Sequence, residues 1–229
     1  MSNGDFEAAR GELDRLKDAD KRNLYLQLIL KNEARAFLAK SELMEAVTAI
    51  RKLEDPTARL VMYMDAIKSA NSKRDADVLK IIINEARLLI PQTNRNGLHL
   101  RALLSFASQL AKLGATDDGV EFLKGAVTTI NALGSSDANG DAKSLAGSAM
   151  AELNDPIGLL NDPEMERAFV AFGSLDLNLA LTQANRIQPK PVQLMARLQT
   201  IQGAIKQAAA RPKPAAAPKV SPGVKSLKP

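Results

Sequence analysis

Cysteine is missing from this chain, and so is tryptophan. The first absence excludes disulfides, thiolate metal sites and a cysteine nucleophile, while leaving the cellular compartment open. The second, with aromatics at 3% of 229 residues, predicts a core built from Leu, Ile, Val, Met and Ala. Glycines are few, and the abundance of Ala, Leu, Lys, Arg and Glu favours helix throughout. No stretch reaches the roughly 18 uncharged apolar residues that a membrane span requires. The opening residues, MSNGDFEAARGELDRLK, are acidic and amphipathic, unlike a secretory signal. A soluble, cytoplasmic protein is the expectation, unless the chain is part of a longer exported one.

The catalytic inventory is equally thin. His99 is the only histidine, so histidine-based metal ligation has no second partner, and no Gly-x-Ser-x-Gly elbow accompanies it. Placed near the start of a helix between Leu98 and Leu100, His99 reads as a partly exposed structural residue. Asp137, Asn139 and Asp141 alternate like the first ligands of a calcium loop. However, Ala142 stands where the sharp-turn glycine is needed, and Ser148 replaces the bidentate Glu. A solvated loop, with Asp141 capping the next helix, accounts for them better. No glycine-rich phosphate cradle occurs, and the many carboxylates interleave with Lys and Arg as solvated faces. Met62, Tyr63 and Met64 fit a helix–helix contact in the core more readily than an adaptable binding patch. No catalytic, cofactor-binding or metal-ligating residue is singled out, no binding residue can be named, and no cofactor is implied.

Charge is unevenly placed. The net charge is +5 and the pI near 9.4, which raises the question of nucleic acid. Residues 211–229 hold Arg211, Lys213, Lys219, Lys225 and Lys228 with no acid, whereas residues 1–210 carry 26 basic and 26 acidic side chains. The basicity therefore belongs to the Pro-, Ala- and Lys-rich C-terminal run, which has too few large apolar residues to order itself. With no aromatics and no arginine cluster, this tail reads as a solubilising segment. Weak, salt-sensitive association with an anionic surface is its other reading.

What is present is helical periodicity. Phe6, Ala9, Leu13 and Leu16 mark a first helix, and Leu24 and Leu28 lie on the broad apolar face of a second, from about Ala19 to Ala39. Ser41 is placed to cap a third, which buries Leu43, Val47, Ile50 and Leu53. Asp55-Pro56 opens a fourth through Leu60, Met64 and Ile67, with proline at the first helical position. A fifth, rich in isoleucine from Val78 to Ile90, needs neighbours on more than one side. The sixth presents Leu100, Leu103, Leu104, Ala107, Leu110 and Ala111 and ends at Gly114. The seventh runs from Thr116 past Val120, Leu123, Val127 and Ile130 to Gly134. Asp155-Pro156 and Asp162-Pro163 are further starts, the latter leading into Met165 and Phe169. Ser174 caps a helix with Leu175, Leu179 and Ile187, and a last helix uses Leu194, Leu198, Ile201 and Ile205.

One joint recurs. Ala46, Leu53, Asp55 and Arg59 share their offsets with Ala9, Leu16, Asp18 and Arg22. The offsets return in part at Ala146, Leu153 and Asp155, with Leu159 in the Arg place, and more weakly at Ala180, Ile187, Pro189 and Gln193. Such spacing suits a unit of roughly 33–40 residues. Each copy is a helix end, a capped turn and a new helix, with Ala allowing close approach, Leu or Ile closing the corner, and Asp capping. The Arg is placed to pair with the Asp at (i, i+4). Capping already explains the Asp, so the motif is read as a joint and not as a charged binding row.

On Leu103-Leu104-Ser105-Phe106-Ala107 through Leu110, Gly114, Gly119, Leu123 and Ala126, with Ala86 and Pro91, the chain resembles the tetratricopeptide-like (TPR-like) class of helical repeats. The family's large aromatics are absent, and Asn131 stands where its proline would follow Ala126. The resemblance spans residues 5–133 and, loosely, 141–208. It implies an all-α fold, an α-solenoid of stacked antiparallel hairpins with about ten or eleven helices. Residues 1–133 would be TPR-like repeats, 134–140 a flexible loop, 141–208 further helical repeats packed on the first part, and 209–229 a disordered basic tail. The expected function is a non-catalytic scaffold or adaptor that binds a protein or peptide partner on the solenoid surface. The alternative is nucleic-acid or anionic-surface association through the tail.

Overall fold

The computed structural model describes residues 3–71, 74–93, 97–136 and 162–210. The Asp137–Asp141 loop, the Ala146 joint copy and the 211–229 tail lie outside the described residues. Within them the chain is all-helical, with ten α-helices and no strand. These are α1 (Asn3–Leu13), α2 (Ala19–Ala39), α3 (Leu43–Arg51), α4 (Pro56–Ser69), α5 (Ala76–Leu89), α6 (Gly97–Lys112) and α7 (Thr116–Ser136). A 3₁₀ turn, Ile90–Gln92, follows α5. The set is completed by α8 (Pro163–Leu175), α9 (Leu177–Asn185) and α10 (Lys190–Ala210).

The joints behave as local chemistry requires. Asp18 accepts from the Asp20 and Lys21 N–H groups, and Asp55 from those of Thr57 and Ala58. Asp162 accepts from Glu164 N at 2.8 Å. Each satisfies N–H groups that the first helical turn leaves open. The arginine of the motif acts differently from expectation. Arg22 does not pair with Asp18; its guanidinium donates to the Leu16 carbonyl at 2.6 and 3.2 Å. In the weakest copy, Gln193 takes the same place and donates to the Ile187 carbonyl at 2.8 Å. In these two copies the last position satisfies a carbonyl of the preceding corner, a need that the capping aspartate, an acceptor only, could not meet.

Two caps differ from the sequence reading. Ser41 does not cap α3; it sits at φ +60, where it ends α2. Ser41 N donates to Leu38 O and Glu42 N to Phe37 O, the paired bonds of a left-handed helix terminus. Gly114, at φ +81, ends α6 in the same way, with Ala115 N donating to Leu110 O. Ser174 lies inside α8 and donates to Ala171 O, while Asp176 caps α9 through Leu179 N.

Packing follows a two-row pattern. Helices α1 to α5 touch in succession, as do α6 with α7, α8 with α9 and α9 with α10, and each even-numbered helix also touches the next, from α2 through α4, α6 and α8 to α10. On the other side α3 touches α5 and α7 touches α9. Two arginines bridge this second row: Arg51 reaches Glu85 at 2.8 Å, and Arg87 reaches Asp118 and Glu121, each at 2.5 Å. Arg51 and Arg87 are 36 residues apart, as are Glu85 and Glu121. One buried cluster runs from Leu30 in α2 to Ala196 in α10. It is less purely aliphatic than composition suggests. Tyr63, Phe106, Phe169 and Phe172 are fully buried, and Phe106 stacks on Phe122 with ring centroids 5.1 Å apart. Six of the eight aromatics are buried, Phe37 is partly so, and Tyr25 is exposed.

The closest contact joins α8 to α10. A Cβ on Gly173 would overlap the Thr200 carbonyl oxygen and lie 2.8 Å from its carbon. One on Gly203 would overlap the Val170 carbonyl oxygen. The two backbones meet because glycine leaves room on both sides.

Candidate binding surface

Sequence-selected residues disperse rather than converge. His99 is 6% exposed, more buried than expected, and its Nδ1 lies 2.9 Å from the Thr93 hydroxyl. Met62, Tyr63 and Met64 are all buried in α4, the core role expected of them. Burial pushes the Tyr63 hydroxyl up to about 12, with the Glu85 charge adding to the rise and Arg51 and Arg59 opposing it. Asp55 and Arg59 form no ion pair; Asp55 accepts from the Thr57 and Ala58 N–H groups.

Several acids are buried with partners and serve the fold. Asp162 meets Arg101 at 2.7 Å, linking α6 to the start of α8. Glu164 meets Lys68 at 3.3 Å and Arg167 at 2.8 Å, linking α4 to α8. Breaking such pairs is costly because it leaves a buried charge uncompensated. Among the described residues no group of three His, Cys, Asp or Glu is placed to hold a metal ion. None of their helices is long and apolar enough to cross a membrane. A cleft of about 400 Å³ lies between the end of α6, α8 and α10, lined by Val170, Ala171 and Leu175 with Lys112, Glu166, Arg167 and Lys206.

The exposed surface is where expectation and structure part most. Leu24, Tyr25 and Leu28 of α2 are exposed, although the periodicity assigns the leucines to the core. Along α10, Leu194 (56% exposed), Leu198 (62%), Ile201 (42%) and Ile205 (62%) form an outward stripe. The helix buries its other side instead: Val192, Ala196, Gln199, Thr200 and Gly203. Single exposed aliphatics are ordinary, but these four lie on one helical face and form a contiguous apolar stripe. The signal that could have found this is Gly173 and Gly203, with Ala196 and Thr200: small residues at helical spacing allow closer backbone approach than leucines do.

Charge divides the chain near this stripe. Residues 177–229 contain nine basic residues and no acid, whereas residues 1–176 contain 22 basic and 26 acidic residues. The division begins well before the 211–229 tail and takes in α9 and α10. No protein-family model matches the sequence, and neither a curated protein nor a solved structure is significantly similar to it.

Proposed function

We propose that this protein is a non-catalytic interaction scaffold, a TPR-like α-solenoid that binds a protein or peptide partner on the surface of its stacked helices. The observation that carries the reading is the concentration of exposed large aliphatic side chains on α2 and α10. Both belong to the even-numbered row. Stacked helical units leave extended surfaces suited to peptides and helices, and terminal units normally carry a polar outer face. An apolar outer face on α10, the last described helix, therefore suits a partner. The cross-row bridges at a 36-residue interval support the repeat architecture.

The full-length chain, immobilised, tests this beside a variant carrying Leu24→Gln, Leu28→Gln, Leu198→Gln and Ile205→Gln. A discrete protein held by the wild type at stoichiometric level, and released by the variant, supports the scaffold reading. If the wild type holds no protein, or both chains hold the same set, the reading fails. Association with nucleic acid is the second reading, favoured by the acid-free residues 177–229. It predicts recovery of nucleic acid that falls steeply with added salt.

A further inference from the structure

From the spacing and charge of α10 we infer that its outward face docks an amphipathic helix of another protein, one whose apolar stripe is flanked by Asp and Glu. This rests on the scaffold reading above and gives it a site and a partner chemistry.

Leu194, Leu198, Ile201 and Ile205 recur at intervals of four, three and four residues. That is the seam spacing of paired helices, in which each side chain enters a hole between four residues of the facing helix. The stripe lies opposite the residues that α10 buries against α8, so a second helix can lie along it without disturbing the α8–α10 contact.

Charge selects among the occupants. Lys190, Arg197 and Lys206 are exposed on α10, and the nearest acid in sequence is Asp176, before α9. A second copy would bring two acid-free helices and two basic tails together, which like charges oppose. A lipid surface suits the stripe less well. Interfacial helices carry Trp or Phe on the apolar side and many Lys or Arg beside it. Here the stripe is wholly aliphatic; Lys190 and Arg197 lie along one border, while the other, with Met195 and Gln202, is uncharged. A helix with flanking carboxylates satisfies both features. Its leucines fill the seam, and its acids meet Lys190 and Arg197.

The test is a fluorescence-anisotropy titration of the full-length chain. The probe is a synthetic helical peptide of about three heptads with Leu at the seam positions and Glu beside them. A second peptide has Lys in place of Glu. Two variants accompany the wild type, L198Q/I205Q and K190E/R197E, all four positions being exposed. Circular dichroism verifies that they are folded. The Glu peptide is expected to bind saturably and to lose at least about tenfold in affinity, or ~1.4 kcal/mol, in L198Q/I205Q. K190E/R197E is expected to reverse the preference towards the Lys peptide.

Several results would overturn the inference. They are no binding of the Glu peptide to the wild type, equal binding by L198Q/I205Q, or no discrimination between the peptides. A dimer in sedimentation equilibrium that L198Q/I205Q abolishes would assign the face to a second copy. Binding to phosphatidylserine vesicles that the same variant abolishes would assign it to a bilayer. A natural partner held equally by wild type and L198Q/I205Q refutes docking at α10 while leaving the scaffold reading intact. A wild type that holds no partner at all removes the scaffold reading itself.

Discussion

Replacing Gly173 with alanine adds one methyl group at the α8–α10 crossing, and the structure specifies what that group meets. Its Cβ would overlap the Thr200 carbonyl oxygen and lie 2.8 and 2.9 Å from the Thr200 carbonyl carbon and Cα. These atoms are helix backbone and cannot rotate away, so the helices must part. Overpacking of this kind costs about 1–3 kcal/mol, and a clash with backbone belongs at the upper end, ~3 kcal/mol. Against this, alanine in a helix interior gains about 0.5–1 kcal/mol over glycine. The net expectation is a loss of ~2 kcal/mol, and a melting temperature lower by roughly 4–8 °C for a chain of this size. Gly11 in α1 provides the control, because a Cβ there meets nothing within 4 Å. Gly11→Ala should therefore stabilise by ~0.5–1 kcal/mol. Urea and thermal unfolding followed by far-UV circular dichroism measure both. The double variant G173A/G203A should cost less than the sum of the single variants, since helices already separated accommodate the second methyl group. If G173A stabilises the protein as G11A does, the close crossing of α8 and α10 is wrong, and with it the outward placement of the Leu194–Ile205 stripe.

Three further outcomes follow from local geometry. Ser41→Gly should stabilise by ~1 kcal/mol in urea unfolding, because glycine occupies φ +60 without the steric penalty of a Cβ. Asp55→Ala should destabilise by ~1 kcal/mol by leaving the Thr57 and Ala58 N–H groups without their cap, whereas Asp55→Asn should retain most of it. In a Tyr25→Phe variant the only tyrosine is Tyr63, so tyrosinate absorbance reports that group alone. Its folded pKa is raised to about 12 by burial, so the neutral hydroxyl favours the folded state. That contribution is complete below the unfolded value of about 10 and is lost as pH rises from there through about 12. Ionisation at an unshifted position with the protein still folded would contradict the burial of Tyr63.

Much of this fold is legible in the sequence because it is written in neighbouring residues. Asp18, Asp55 and Asp162 cap because a carboxylate one residue before a helix start reaches the open N–H groups whatever lies elsewhere in the chain. The glycine stop at Gly114 and the buried faces of α3, α4 and α6 follow from turn chemistry and a 3.6-residue period in the same way. Ser41 was misread because a serine before a helical run suits either a start or a stop, and the choice depends on how tightly α2 turns into α3. Arg22 does not pair as the sequence suggests because the carbonyl it satisfies belongs to the preceding corner rather than to its own helix.

What sequence alone determines here is therefore helix content, most helix ends and the recurring joint, all set by interactions within a few residues. Only the tertiary structure decides which face of a helix with two candidate faces is buried. In α10, periodicity favours Leu194, Leu198, Ile201 and Ile205, which carry the most apolar area. The helix instead buries Ala196, Thr200 and Gly203, because Gly173 of α8 lies opposite and the two backbones can touch. Close packing of small side chains against a neighbour distant in sequence outweighs the burial of larger ones, and the apolar stripe is left facing outward.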